Sequence, residues 1–411
     1  MSPSIAQLPP RVLIIGAGLG GLSLAQGLKK NSIPFHVFER DPSASFRPQG
    51  YRIKINYEGA MALKSVMGDE MWEEFEKTCA ETQFGETNIN APDGALIASR
   101  AGPGLRGGSF VPYLADRTLL RSLLFRGLEE DVSFGKTLTH YEILDEGVIA
   151  HFTDGTSEQG ILLVGADGFR SPVRKQFLPD HKPIDTNGRC IYGKTPMTEE
   201  FMAKYHARAH KWMTLILDKT PMTQTLDIDE TPLTCLLEPV RFVDNEYKHK
   251  APQDYVYWVL IARSDVFGLS TEKLLTLNGQ EAAELSLKLT EEWDASLRAL
   301  FEHQDIKQSS ALRISTAKPQ IPIWETNPRV TLLGDAVHVM SPCGGVGAVT
   351  AIMDAAALTE SLQTGGIKKE SLGEYEAKMR VYARKSIERS YFGGKKMFGH
   401  APFDQCEILE I

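Results

Sequence analysis

The chain has 411 residues, 42% of them hydrophobic and 24% charged, enough to bury a large core in one large or two intertwined domains and too apolar for disorder. A net charge of −8 excludes a broad cationic surface for nucleic acid or an anionic membrane, and leaves small ligands as the expected partners. Cys79, Cys190, Cys235, Cys343 and Cys406 are odd in number and form no Cys-x-x-Cys pair, which argues against a disulfide framework and against a zinc site.

Met1 to Pro10 lacks a charged segment followed by an apolar one, and nowhere do eighteen apolar residues run together, so a cytoplasmic protein, monomer or homodimer, is expected. Arg11 to Ile15 is a compact apolar run of the kind that forms a buried parallel strand. A helix is predicted from Leu19 to Lys30 and a second strand from Ile33 to Glu39, completing a βαβ unit. Leu114 to Leu128 carries leucines at helical spacing, and Ile161 to Gly165 reads as another buried strand. From Pro183 to Pro322 the texture changes, with more Thr and with aromatic alternation such as Tyr255, Tyr257 and Leu260. Within it Thr223 to Ile228, Leu233 to Leu237 and Tyr255 to Ala262 read as antiparallel strands, one face of which could wall a pocket. Val330 to Leu333 is predicted as a buried strand running into a Gly-rich turn and a long Ala-rich helix from Gly347 to Leu362. Tyr375 to Arg389 is amphipathic with mixed charges, which fits a packed C-terminal helix better than a membrane-surface one.

Gly16-Ala17-Gly18-Leu19-Gly20-Gly21 supplies G-x-G-x-x-G after the first strand, with Glu39 ending the next strand. Gly16 permits the tight turn, Gly18 lets the backbone approach a pyrophosphate, and Gly21 lets the helix pack closely on the strand. The helix N-terminus offers amides to the anion, and Glu39 is placed to accept ribose hydroxyls. An acidic residue there favours FAD or NAD over NADP, whose 2′-phosphate it would repel.

Two further segments carry a resemblance. Gly165-Ala166-Asp167-Gly168-Phe169-Arg170-Ser171-Pro172-Val173-Arg174 resembles the Asp-Gly motif of class A flavoprotein monooxygenases, the salicylate and para-hydroxybenzoate hydroxylase-like enzymes. Gly334-Asp335-Ala336-Val337-His338, continuing through Pro342-Cys343-Gly344-Gly345-Val346-Gly347, resembles their Gly-Asp motif. The resemblance implies a Rossmann-like FAD-binding domain, of α/β class, with an inserted mixed α+β substrate domain built on an antiparallel sheet. The boundaries expected are 1–182 for the first part of the FAD domain, with substrate-domain segments near 75–110, then 183–322 for the substrate domain and 323–411 for the last part of the FAD domain. A chain ending this soon after the third motif resembles the relatives without an extra thioredoxin-like domain.

The family's site residues carry over motif by motif. Asp335 is similar to the residue that accepts a hydrogen bond from the ribityl chain. Gly345, Gly347 and Ala348 form the turn and helix start that stabilise negative charge on reduced flavin. Asp167 belongs to the motif used for the FAD pyrophosphate region and for the pyridine nucleotide. Arg117 resembles a helix-borne arginine that reaches FAD, and Arg40 the residue over the adenine. Arg47 and Arg52 fall in the loop and strand beside the isoalloxazine, where plain surface charge is the alternative. The family commonly has Asn where this chain has Val349, which places any tuning by that amide in doubt.

The expected chemistry follows from the resemblance. NADPH or NADH delivers hydride to the flavin transiently, since no second G-x-G-x-x-G is present. Reduced flavin and O2 form a C4a-hydroperoxide that hydroxylates, epoxidises or ring-expands an aromatic or polycyclic small molecule, many short relatives acting in secondary metabolism. Arg52 and Tyr192 are the candidate catalytic residues, and Trp212, Tyr257 and Trp324 could line the substrate pocket. His338 reads as structural. His206 and His210, four apart on a plausible helix, lack a third ligand and read as a solvated pair rather than a metal site. A non-catalytic flavin-binding redox sensor, and an FAD oxidoreductase that inserts no oxygen, stay open as alternatives.

Overall fold

The computed structural model describes residues 10–46, 50–102, 110–219 and 232–411. A five-stranded parallel sheet runs in the order Val330–Leu332, Leu162–Gly165, Val12–Ile15, Phe35–Glu39, Val132–Phe134. Val12, Leu13 and Ile14 are wholly buried, as continuous apolar runs in parallel strands require because both sheet faces are covered. The helix Leu19–Lys30 occupies the predicted residues and packs against the long helix Gly347–Gly365.

The second large sheet is mixed. Its strands run Ser310–Thr316, Ile184–Pro196, Tyr255–Arg263, Leu233–Val240, Met213–Asp218, Gly85–Asn90, Leu96–Ala101, antiparallel throughout except where Met213–Asp218 lies parallel to Gly85–Asn90. Residues 85–101 thus join this sheet although they precede Met213–Asp218, the strand they pair with, by over a hundred positions. The short strand Glu407–Ile408 adds to the start of Ile184–Pro196. Period-two alternation sorts the sheet's two faces: Ile216, Cys235, Leu237, Trp258 and Leu260 enter an apolar core with Leu297, Leu300 and Phe301. Their neighbours point the other way, toward the parallel sheet's cavity, so Leu260 and Tyr257 lie on opposite faces.

Two local expectations are corrected. The stretch from Leu114 opens as strand, not helix: Tyr113–Asp116 pairs antiparallel with Arg52–Ile55, and the helix runs Arg117–Phe125. Asp116 sets that boundary, its Oδ1 accepting the amides of Thr118 at 2.8 Å and Leu119 at 3.2 Å as an N-cap. His206 and His210 do not share a helix. The helix Glu199–Lys204 stops where Tyr205 turns extended to bury its ring on Phe201, and His210 Nε2 instead meets the Tyr205 carbonyl at 3.0 Å. Thr223 to Ile228 lies outside the described residues. Among the described residues no helix is long and apolar enough to cross a membrane.

Candidate functional site

A cavity of about 1370 Å³ opens at the carboxyl ends of the parallel strands and continues to the inner face of the mixed sheet. Pockets for one small ligand hold ~300–1,000 Å³, so this space has room for an elongated molecule and a second one beside it. Ligands collect at this edge of parallel sheets because helix N-termini and loop amides converge there.

The glycines divide the work. Gly16 adopts φ +108°, and Gly21 lies so close to it that an added Cβ would sit 2.0 Å from the Gly16 carbonyl oxygen. A Cβ on Gly18 would meet nothing within 4 Å, because it would project into the cavity. Gly18 also has no side chain with which to cap the helix it begins, so the first-turn amides are left for a ligand. Glu39 holds this loop in place. Its Oε2 accepts the Ala17 amide at 2.7 Å and its Oε1 the Asp41 amide at 2.9 Å, and a carboxylate's spare lone pairs remain for hydroxyls in the cavity.

Arg117 lines the cavity with its guanidinium carbon 5.4 Å from the centre of the Tyr51 ring. One turn along the same helix, Arg121 also lines it and donates from Nε to the Ala17 carbonyl at 3.1 Å. The sequence reading missed Arg121, although its i, i+4 spacing from Arg117 puts both on one face. Arg40 lies exposed at the cavity's edge. Arg47 lies outside the described residues.

Asp167 lines the cavity with Oδ1 buried and without a hydrogen-bond partner, while Oδ2 accepts the Val173 amide at 3.3 Å. Loss of hydration pushes its carboxyl up to about 6, against the opposing pull of Ser171, the Val173 amide and Arg174. Asp335 follows Gly334, which adopts φ +63°, and is exposed where it lines the cavity. Removal from bulk water raises its pKa most, Asp354 adds to this, and His338 and Arg117 oppose it.

Behind Asp335 lies a network that sequence reasoning did not reach. Asp354 Oδ2 accepts the Gly334 amide at 2.7 Å and stands 2.6 Å from His338 Nε2, while Tyr382 donates its hydroxyl to Oδ1 at 2.6 Å. His338 and Asp354 are fully buried, so His338 braces the turn that aims Asp335 and does not enter the cavity. Burial disfavours the imidazolium, but the Asp354 carboxylate outweighs it and the His338 pKa is raised.

Gly345, Gly347 and Ala348 line the cavity where the nineteen-residue helix Gly347–Gly365 begins, with no side-chain cap. Its unpaired first-turn amides make that end attractive to negative charge. Val349 is turned away. It is 2% exposed and packs on the helix Tyr57–Val66, its Cγ1 lying 2.7 Å from where a Cβ on Gly59 would stand.

The far end of the cavity is apolar. Met213, Leu215, Leu236, Val259 and Ile261 face it from three neighbouring strands, with Thr234 and Tyr257 among them. Arg52 stands beside this wall, its Nε 2.6 Å from Glu238 Oε2 and its guanidinium carbon 5.6 Å from the centre of the Tyr257 ring. Tyr192 does not reach the cavity: it sits behind Tyr51, edge to face at 6.0 Å, and burial pushes its phenol up to about 12. Trp212 and Trp324 are also placed elsewhere. Trp212 covers Gly85 and donates to Thr87 Oγ1 at 2.6 Å, and Trp324 lies under the Arg380 guanidinium at 4.1 Å.

These features fit a flavin dinucleotide: two uncapped helix starts, a carboxylate on each side, and an orphaned buried oxygen on Asp167 lining the same space. Residues 10–182 and 276–390 match the family described as FAD binding domain. A dual O-methyltransferase/FAD-dependent monooxygenase of Phaeosphaeria nodorum is 45% identical over 97% of this chain and 47% of its own length. The chain belongs to the class A FAD-dependent monooxygenases. A second enzyme of the same dual description, from Cercospora beticola, is 46% identical over 96% of this chain and 47% of its own length. The class A monooxygenase chain therefore spans about half the length of the curated relatives it matches. A solved structure of a Photorhabdus luminescens protein, assigned as an FAD-containing monooxygenase, superposes with a TM-score of 0.77 at 29% identity, covering 94% of this chain and 98% of that one. The family's cofactor is FAD. It supplies a hydride acceptor and an oxygen-activating ring, which no side chain can.

Proposed function

We propose that the protein is an FAD-dependent monooxygenase that uses NAD(P)H and O2 to hydroxylate an aromatic or polycyclic small molecule in secondary metabolism. The observation that carries this reading is the single cavity joining the Gly-rich loops to the apolar face of the mixed sheet. A cofactor-binding unit assembled from residues 1–182 and 323–411, with a substrate-binding unit formed mainly by 183–322 and by segments near 75–110, accounts for that arrangement. In it Gly16, Gly18, Glu39, Arg40, Arg117, Asp167, Asp335, Gly345, Gly347 and Ala348 hold FAD.

Each group has a definite task. The amides after Gly18 meet the pyrophosphate, Glu39 takes ribose hydroxyls, and Asp335 takes a hydroxyl of the ribityl chain. The amides at Gly347 stabilise negative charge on the reduced ring. Leu215, Leu236, Val259 and Ile261 would give a flat apolar substrate a wall from which water is excluded. Arg52, its charge balanced by Glu238, faces the substrate's polar edge.

Reduced nicotinamide enters by the mouth where Arg389 and Lys396, both exposed, flank the cavity. The cytoplasm, which supplies NAD(P)H, is a compartment that fits this reading. The Phaeosphaeria and Cercospora relatives pair this unit with an O-methyltransferase by name. A phenolic hydroxyl, made or left free here, is the group such a partner reaction would consume.

Anaerobic addition of NADPH or NADH, with and without phenolic and naphtholic compounds, tests the reading. Oxidised-flavin absorbance bleached by the nucleotide, and faster with one compound, is the expected result. Flavin bands that neither nucleotide bleaches with any compound would favour a redox sensor, and a protein that cannot be loaded with FAD would overturn the assignment of the cavity.

A further inference from the structure

We infer that His140, Glu142 and His151 form a binding site for a single divalent transition-metal ion of the zinc class, on the three-stranded sheet that flanks the cofactor cavity. Leu138–Leu144 and Gly147–Phe152 form a hairpin in which His140 stands directly opposite His151, and Glu142 follows His140 by two residues on the same face. Both imidazoles and the carboxylate reach one point: a ligand atom from each lies within 4.8 Å of the others. Two imidazoles and one carboxylate are a zinc donor set, and an exposed site leaves a fourth position for water.

Hydrogen bonds behind the rings make this more than proximity. Thr139 donates its one hydroxyl proton to the His151 carbonyl at 2.9 Å. The same oxygen, 3.0 Å from His140 Nδ1, must therefore accept from that ring, which fixes the proton on Nδ1 and leaves Nε2 with a lone pair pointing outward. His151 Nδ1 is held by Ser157 Oγ at 2.7 Å from the third strand, whose Ser157 pairs with His151 in register. Its Nε2 is buried and makes no hydrogen bond, with a Glu142 oxygen 3.2 Å away. Each histidine thus has a hydroxyl behind it and a ligand nitrogen in front.

The rings are stacked, with centroids 4.4 Å apart and planes 10° from parallel. Binding requires the two rings to turn out of this near-parallel stack, because an in-plane lone pair from each must converge on one ion at ~2.0–2.1 Å. The ion takes the place of the proton on His151 Nε2, which exchanges through solvent onto Nδ1, so that the ring stays neutral and Ser157 turns from donor to acceptor. Both sheet strands carrying the ligands become cross-linked. None of the three residues lines the cavity, so the site is independent of the flavin reaction, and the proposal stands whether or not the oxygenation reading does.

The test uses the FAD-loaded chain, stripped with EDTA and desalted. Zinc chloride is titrated calorimetrically and against a chromophoric chelator, and thermal unfolding is recorded with and without the ion. One zinc per chain, withdrawal of zinc from the chelator and a higher melting temperature are expected. His140→Ala with His151→Ala should abolish all three, Glu142→Gln should weaken binding by about tenfold or more, and His206→Ala with His210→Ala should change nothing. The exposed single change His140→Ala, checked by flavin absorbance and circular dichroism, guards against loss through misfolding. No binding by the parent chain at millimolar zinc, or unchanged affinity in the His140/His151 double variant, would overturn the site.

Discussion

Arg52 and Glu238, from strands of two different sheets, meet with Nε 2.6 Å from Oε2 and are respectively 11% and 4% exposed at their side chains. Removing one partner of such a pair leaves a buried charge, which commonly costs about 3–5 kcal/mol. Lys54 Nζ, 4.0 Å from the other Glu238 oxygen, offsets part of this. Arg52→Met should therefore lose about 2–4 kcal/mol in urea unfolding. Adding Glu238→Met should recover most of it without restoring turnover, because Arg52 lines the cavity beside its apolar wall. A double variant that regains activity would show that the arginine serves folding alone.

Gly18 and Gly21 separate binding from packing. Gly18→Val projects into open space, so its melting temperature should stay close to the parent's while FAD affinity falls by more than tenfold. Gly21→Ala drives a Cβ to 2.0 Å from the Gly16 carbonyl and should cost about 1–3 kcal/mol of stability. Equal instability in both variants, measured on FAD-free protein, would contradict this division.

Asp167 makes a pH prediction. Its folded-state pKa, about 6, lies above the ordinary carboxylate value, so the native state holds that proton more tightly. Its stabilising contribution is complete below about pH 4 and is lost as pH rises through about 6. Asp167→Asn should remove this loss and stabilise FAD-free protein at neutral pH by at most about 3 kcal/mol. Melting temperatures from pH 4 to 8 should show a flatter curve for the variant, with weaker FAD binding; parallel curves would refute the role.

Val349 stands where an asparagine is common in the family, yet its side chain is turned into the contact with the helix Tyr57–Val66. Val349→Asn would bury an amide there, at a cost of about 1–3 kcal/mol if unpaired. Flavin reduction rate and FAD affinity should change less than twofold. A large gain in either would show that the side chain reaches the cofactor.

What could be read from the sequence was local. The helix after Gly18 and the strands beside it follow from glycine spacing and apolar runs within a few residues of each other. Alternation at Leu233 to Leu237 and Tyr255 to Ala262 marked strands, because a half-lined sheet face writes itself at period two. Partners far apart in the chain left no such mark. Glu238 joins Arg52 across nearly two hundred positions, and Arg389 and Lys396 arrive at the cavity mouth only because the helix Lys369–Phe398 folds back over it. Asp354 looked like one polar residue in an Ala-rich helix. Its role depends on the turn at Gly334 and on Tyr382, one helix further on.

The central claim is oxygen insertion, and the most direct test is to run turnover under isotopically labelled dioxygen with NADPH or NADH and the compound that most accelerates flavin bleaching. One labelled oxygen atom per product molecule is expected, none when the label is in water, and one nucleotide consumed per product. An unlabelled product, or nucleotide oxidation that yields only hydrogen peroxide with every compound that speeds reduction, would contradict it.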